Sequence, residues 1–205
     1  MKRILASALS AALLMGALAG CGGNTGSGSV SGSNASAGGS SSGENVIKIG
    51  VFEPATGDSA SGGKKEMLGM QYANSLTPTV EVGGTEYTVE LVYADNGSST
   101  DKAPTAASQL VSEGVSLVLG SYGSGVSIAG GPTFGSAGIP AIGVTCTNPN
   151  VTAGNDYYFR ICFLDPFQGT VLANFAMDNF DAQVAYCLGE AGNEYDQGLI
   201  AYFTQ

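Results

Sequence analysis

The chain has no histidine. Without imidazole there is no Ser-His-Asp or Cys-His machinery, and zinc sites of the usual spacing are excluded as well. Cysteine is sparse: four residues, at 21, 146, 162 and 187, with no CxxC pair. Beyond Cys21 the remaining three are odd in number and lie in apolar stretches, which argues against a disulfide framework. The expectation is buried thiols, with one disulfide left open. Basic residues are few, seven Lys and Arg against 17 Asp and Glu. Nucleic-acid binding needs a basic footprint, and none is present; an anionic membrane surface is disfavoured on the same ground. The acidity reads as solubility.

What is present at the start is a sorting signal. Met1-Lys2-Arg3 is basic, and Ile4 to Leu18 is apolar or small and uncharged. That run is too short for a stable transmembrane span and has the form of a secretory h-region. It ends on Leu18-Ala19-Gly20-Cys21, which resembles a bacterial lipobox. The resemblance implies that residues 1–20 are removed as a signal peptide and that Cys21 becomes the lipidated first residue. Removal of Lys2 and Arg3 leaves five basic residues against 17 acidic ones, a net charge of −12. The protein is then extracytoplasmic and tied to the membrane without crossing it.

Residues 21–45 follow as a tether. From Gly22 to Gly43 there are eight Gly and eight Ser, and Val30 is the one large apolar side chain. Such a segment cannot bury enough surface to offset its ordering entropy, so a flexible coil spanning roughly 25–30 Å is expected.

From Val46 the pattern alternates strand and helix. Val46 to Phe52 is an apolar run ending in a Pro-Gly loop; Lys64 to Leu76 has Met67/Met70 and Leu68/Tyr72 at helical spacings. Val80 to Val82 and Glu86 to Ala94 flank Gly83-Gly84 as a hairpin, with Val89, Leu91 and Tyr93 on one face. Thr100 or Asp101 is placed to cap a helix whose stripe is Ala103, Ala106, Ala107, Leu110 and Val111. Val115 to Leu119 and Ile139 to Val144 read as buried strands around a helix from Ser124 to Ser136, kinked at Gly130-Gly131-Pro132. Tyr157 to Phe163 is a further strand. Asp165-Pro166-Phe167-Gln168 has the order of a capping box for a helix reaching about Phe180. Gln183 to Leu188 reads as a strand, and a last helix begins at Asp196. Repeated β-α units with apolar strands imply an α/β fold with a doubly wound parallel sheet.

Ligands of such sheets bind beyond the carboxyl ends of the strands, so the loops there carry the functional reading. Gly120-Ser121-Tyr122-Gly123-Ser124-Gly125 is neither GxGxxG nor a P-loop nor a GxSxG elbow. It offers a hydroxyl and free N–H groups at a helix N-terminus, suited to a carboxylate, or alternatively a serine N-cap. Thr145-Cys146-Thr147-Asn148-Pro149 offers hydroxyl and carbonyl acceptors, or a turn built on Asn-Pro. Together the loops suit a free amino acid.

The stretches GIPAIGVTCTNPNVT (138–152) and DYYFRICFLDPFQGTVLANFA (156–176), with IKIGVFEPATGDSA before them and NEYDQGL after, resemble the leucine/isoleucine/valine-binding family of solute-binding proteins. The resemblance implies a type I periplasmic-binding-protein fold: two α/β lobes with the ligand in the cleft between them, no catalysis and no cofactor, and delivery of an amino acid to an ABC permease. A ligand-sensing receptor of the same fold, for an amide, short peptide or other small carboxylate, is the alternative; the tether favours transport. Lobe one would be residues 46–164. Residues 165–205 would begin lobe two, and the rest of that lobe would be missing through truncation. By the same resemblance Ser124 holds the α-carboxylate, Thr145 contacts the ammonium through its carbonyl, and Thr147 touches both groups. Tyr195 closes over the ligand from the second lobe. Asp165 meets the ammonium in some relatives, and is a helix cap on the local pattern. Many relatives carry an aromatic residue at the position of Gly62; here that wall is lost unless Tyr122 supplies it.

Overall fold

The computed structural model describes residues 45–205; the signal-peptide, Cys21 and tether readings fall outside them, apart from residue 45. Among the described residues no helix is long and apolar enough to cross a membrane. The strands are β1 (Val46–Glu53), β2 (Thr79–Val82), β3 (Thr85–Asp95), β4 (Leu117–Gly120), β5 (Ala141–Gly143) and β6 (Tyr158–Arg160). The helices are α1 (Ala60–Leu76), α2 (Ala103–Ser112), α3 (Ser124–Ala137), α4 (Asp165–Phe180) and α5 (Glu194–Phe203), with a 3-10 turn at Pro149–Val151.

The strands form one sheet in the order β2-β3-β1-β4-β5-β6. All pairings are parallel except the β2–β3 hairpin, which closes one edge. The expected doubly wound sheet is therefore present. From β1 the chain winds outward to β3, then returns past β1 to β4 and continues to β6. The winding direction reverses between β1 and β4, and the carboxyl ends of those two strands leave a crevice. Register brings Phe52 level with both Ala94 and Gly120, so the loops after β1, β3 and β4 open at one edge.

The core explains why these segments fold as they do. The apolar stripe of α2 is buried as its spacing requires: Ala103, Ala107 and Leu110 are fully covered and Ala106 nearly so. They meet Phe52 and Val118 of the sheet and Phe134 of α3. Phe52 and Phe134 pack edge to face with ring centroids 5.3 Å apart, each burial contributing about 1.5–3 kcal/mol. The helix α3 runs unbroken through Pro132.

Several local expectations are corrected. The helix α1 starts at Ala60 and buries Met70, while Leu68 and Tyr72 are exposed. Neither Thr100 nor Asp101 caps α2; Lys102 occupies that position without a side-chain bond. The N-cap of α4 is Leu164, so Asp165 is the first helical residue and makes no capping box. The last helix starts at Glu194, and the Asn193 side chain caps it by accepting from the Tyr195 and Asp196 N–H groups. Gln183 to Leu188 forms no strand. Its alternating Val184, Tyr186 and Leu188 are about nine-tenths exposed, and among the described residues no strand edge lies beside it to complete a ladder. The three cysteines beyond Cys21 are all free, and only Cys146 is buried; Cys162 is half-buried and Cys187 exposed.

Candidate ligand-binding site

At the crevice the β4–α3 loop is braced from four sides. Tyr158 donates its phenol hydrogen to the Gly120 carbonyl (2.7 Å). Asn96, after β3, donates to the Ser121 hydroxyl (2.9 Å). Ser127 accepts from the Ser121 N–H at 3.3 Å and can donate to the Gly123 carbonyl at 3.2 Å. Glu53, the last residue of β1, accepts the Tyr122 N–H through Oε2 (2.8 Å). Gly123 takes the N-cap position of α3, which corrects the reading of Ser124 as a cap. Ser124 is instead the first helical residue and buried. Its hydroxyl accepts the N–H of Asn148 at 3.3 Å, and this bond joins the β4–α3 loop to the β5–β6 loop.

That second loop is clamped from below by Arg160. Its guanidinium donates to the carbonyls of Cys146 (3.0 Å), Asn148 (2.8 Å) and Pro149 (3.2 Å), and to the Thr152 hydroxyl (2.7 Å). The fork geometry of arginine matches several acceptors at once. Thr145 is exposed on the loop and donates its hydroxyl to Glu66 of α1. Thr147 is buried, and its hydroxyl has no hydrogen-bond partner.

The two loops face a cavity of about 580 Å³ lined by Ser59, Tyr122, Gly123, Ser124, Thr145, Thr147, Cys162, Phe163, Gln168, Asn193, Tyr195 and Asp196. The volume is in the range of small-ligand sites. Of the six residues expected from the sequence, Ser124, Thr145, Thr147, Tyr122 and Tyr195 line it together. Tyr195 is oriented by Gln168, whose Nε2 donates to its phenol oxygen at 3.0 Å. Asp165 does not line the cavity. Its N–H donates to the Thr147 carbonyl (3.1 Å), while both carboxyl oxygens are buried without a hydrogen-bond partner. Burial raises its pKa, opposed by the nearby Thr147 hydroxyl and Arg160.

The Tyr122 ring lies directly over Gly62: a Cβ built on Gly62 would fall inside van der Waals contact with it. Tyr122 therefore stands where an aromatic side chain at position 62 would have to stand, and it lines the cavity.

Ser59, Cys162, Phe163, Gln168, Asn193 and Asp196 were not anticipated as site residues. For Asn193 a local signal exists, an Asn directly before an acidic helical turn. Ser59 comes from the β1–α1 loop, Cys162 and Phe163 from the segment between β6 and α4, and Gln168 and Asp196 from α4 and α5. Among the described residues no group of three or more His, Cys, Asp or Glu side chains is placed to hold a metal ion. Chemically the cavity offers N–H groups of the first turn of α3, which have no partners within the helix, beside hydroxyls and flanking aromatic rings. That set can hold a carboxylate at one end and an uncharged or cationic group at the other.

The family model described as periplasmic binding protein matches residues 46–205 of this chain. The chain belongs to that family. Among periplasmic binding proteins of known sequence it is 31% identical over 155 residues to "Leu/Ile/Val-binding protein homolog 2" of Brucella abortus, covering 75% of this chain and 41% of that protein. Among solved structures it is similar to a leucine-binding protein, LivK, from Thermotoga maritima, with a TM-score of 0.73 and 34% identity over 78% of this chain and 45% of that one. It is also similar to a solute-binding protein of an ABC transporter from R. palustris in complex with 4-hydroxybenzoate, with a TM-score of 0.64 and 26% identity over 78% of this chain and 44% of that one. The chain thus spans less than half the length of these periplasmic binding proteins.

Proposed function

We propose that this chain belongs to an extracytoplasmic substrate-binding protein that captures a small carboxylate, an amino acid of the branched-chain type or one like it, and delivers it to an ABC permease. The carrying observation is the cavity at the β1/β4 crevice, which Ser124 in the first turn of α3 lines together with Thr145 and Thr147, the Ser124 hydroxyl accepting the Asn148 N–H to join the two loops. In this reading the carboxylate sits on Ser124 and the α3 N-terminus, the ammonium on Thr145 and Thr147, and Tyr122 and Tyr195 enclose the rest. Residues 46–164 are the first lobe and 165–205 begin the second. Residues 1–20 direct export, Cys21 carries the lipid, and the Gly/Ser tether up to residue 45 holds the domain off the membrane. The proposal assigns no catalysis.

A second reading, a sensor or carrier of an aromatic carboxylate, is favoured by one observation: Tyr122 and Phe163 both line the cavity, and a relative binds 4-hydroxybenzoate. A thermal-shift panel on the full-length protein separates the two. L-leucine, L-isoleucine, L-valine and 4-hydroxybenzoate are each added in excess; at about 100 times the dissociation constant a bound ligand stabilises by about 2.7 kcal/mol. A shift with the amino acids alone supports the first reading. A shift with 4-hydroxybenzoate alone supports the second, and a flat panel contradicts both.

A further inference from the structure

We propose that Glu53 and Glu66 form a proton-sharing carboxyl pair that positions the two ligand loops, Glu53 fixing the Tyr122 N–H and Glu66 fixing the Thr145 hydroxyl. This rests on the cavity being the ligand site, as proposed above. Neither glutamate lines the cavity, so both are positioning residues.

The geometry carries the inference. Glu53 is 1% exposed. Its Oε2 accepts from Tyr122, and its Oε1 is buried without a conventional donor. Glu66 accepts from Thr145 through Oε1, and its Oε2 is likewise buried without a donor. Glu66 is the neighbouring side chain that acts on Glu53, as a hydrogen-bond partner and through its charge. Two acceptors left facing each other in a dry site repel. One proton between them converts that repulsion into a hydrogen bond, as in other carboxyl dyads. The other titratable groups close by are Tyr158 of β6, beside Glu53, and Cys162, beside Glu66. No cationic side chain acts on Glu53 to stabilise its ionised form. Burial first, then Glu66, pushes Glu53 up to about 10, against the lowering effect of the Tyr122 N–H. One proton then ties β1, α1, the β4–α3 loop and the β5–β6 loop together behind the ligand.

The test has ligand-free and ligand-dependent arms on the full-length protein. Infrared spectroscopy at about pH 7, well above the ordinary glutamate range, is expected to show a protonated-carboxyl C=O band that Glu53→Gln removes. The pH dependence follows by linkage. An acid whose folded pKa is raised keeps its proton while the unfolded chain has lost it. Stability therefore falls as pH rises from the ordinary Glu value toward the folded one. The wild-type melting temperature is expected to decline relative to Glu53→Gln between about pH 5 and about pH 9. Glutamine can donate to Glu66 and accept from Tyr122, so Glu53→Gln is expected to hold L-leucine within about 3-fold of wild type. Glu66→Ala is expected to weaken it on the order of 10-fold. Absence of the band in the wild type, or parallel pH profiles for wild type and Glu53→Gln, overturns the shared proton. Equal leucine affinity in Glu66→Ala overturns the positioning role. If wild type binds none of L-leucine, L-isoleucine and L-valine while the band and the pH difference are present, the shared proton stands and the branched-chain amino-acid reading falls.

Discussion

Gly120→Ala is expected to cost roughly 2–6 kcal/mol, about 1–3 from the backbone and about 1–3 or more from overpacking. Gly120 ends β4 with φ at 116°, a conformation that an L side chain resists. A Cβ there would meet the Phe52 carbonyl oxygen inside van der Waals contact and sit 2.5 Å from Glu53 Oε1. The first obstacle is backbone in the centre of the sheet and cannot move aside. The second is the carboxyl that fixes Tyr122. A loss of this size is a large part of the roughly 5–15 kcal/mol that holds a typical domain folded. Chemical denaturation of the variant checks it: a midpoint within experimental error of wild type would show that the crowding at Gly120 is not real.

Arg160→Ala is expected to destabilise by at least about 3 kcal/mol, since hydrogen bonds to charged groups are worth about 1.5–3 kcal/mol each and four are lost together. The acceptors left behind are three carbonyls of the β5–β6 loop and the Thr152 hydroxyl. Arg160→Lys is expected to recover only part of the loss, because an ammonium cannot reproduce the planar fork. For a domain of this size the Ala variant should melt roughly 6–12 °C lower. Hydrogen exchange should quicken at Asn148, whose N–H is held by the Ser124 hydroxyl, and at Val151, whose N–H is held by the Asn148 carbonyl. Full recovery by lysine would show that charge alone, without the fork, holds the loop.

The fold was legible where a single segment carries its own reason. The Ala103-to-Leu110 stripe, the Gly83-Gly84 hairpin and the apolar run of β1 each announce their structure through spacing. Caps were less legible. Ser124 and Asp165 each have the chemistry of an N-cap, and each lies one residue inside its helix. Local chemistry proposes a cap within a residue or so, but packing decides which backbone turns first. Gln183 to Leu188 carries a strand pattern without a strand, because pairing depends on a neighbour that the pattern cannot supply.

The candidate site was legible through its loops. Ser124, Thr145 and Thr147 lie on two segments that any doubly wound sheet brings to the same edge. The supports behind them were not. Tyr122 settles over Gly62, and Glu66 reaches Thr145, only because α1 packs against the sheet as it does. Asp165 was read from its place in the chain, and the structure buries it behind Thr147 instead of in the cavity.

The central claim is that the cavity beside Ser124 holds a carboxylate ligand. Calorimetric titration of the full-length protein with L-leucine, wild type against Ser124→Ala, tests it most directly. The hydroxyl contacts a charged group, so affinity is expected to fall on the order of 10- to 100-fold. The melting change should correspond to at most about 1–3 kcal/mol, from the Asn148 N–H left without its acceptor. Saturable wild-type binding with a weakened but folded Ser124→Ala variant is the predicted result. Equal affinity in the two proteins would contradict it.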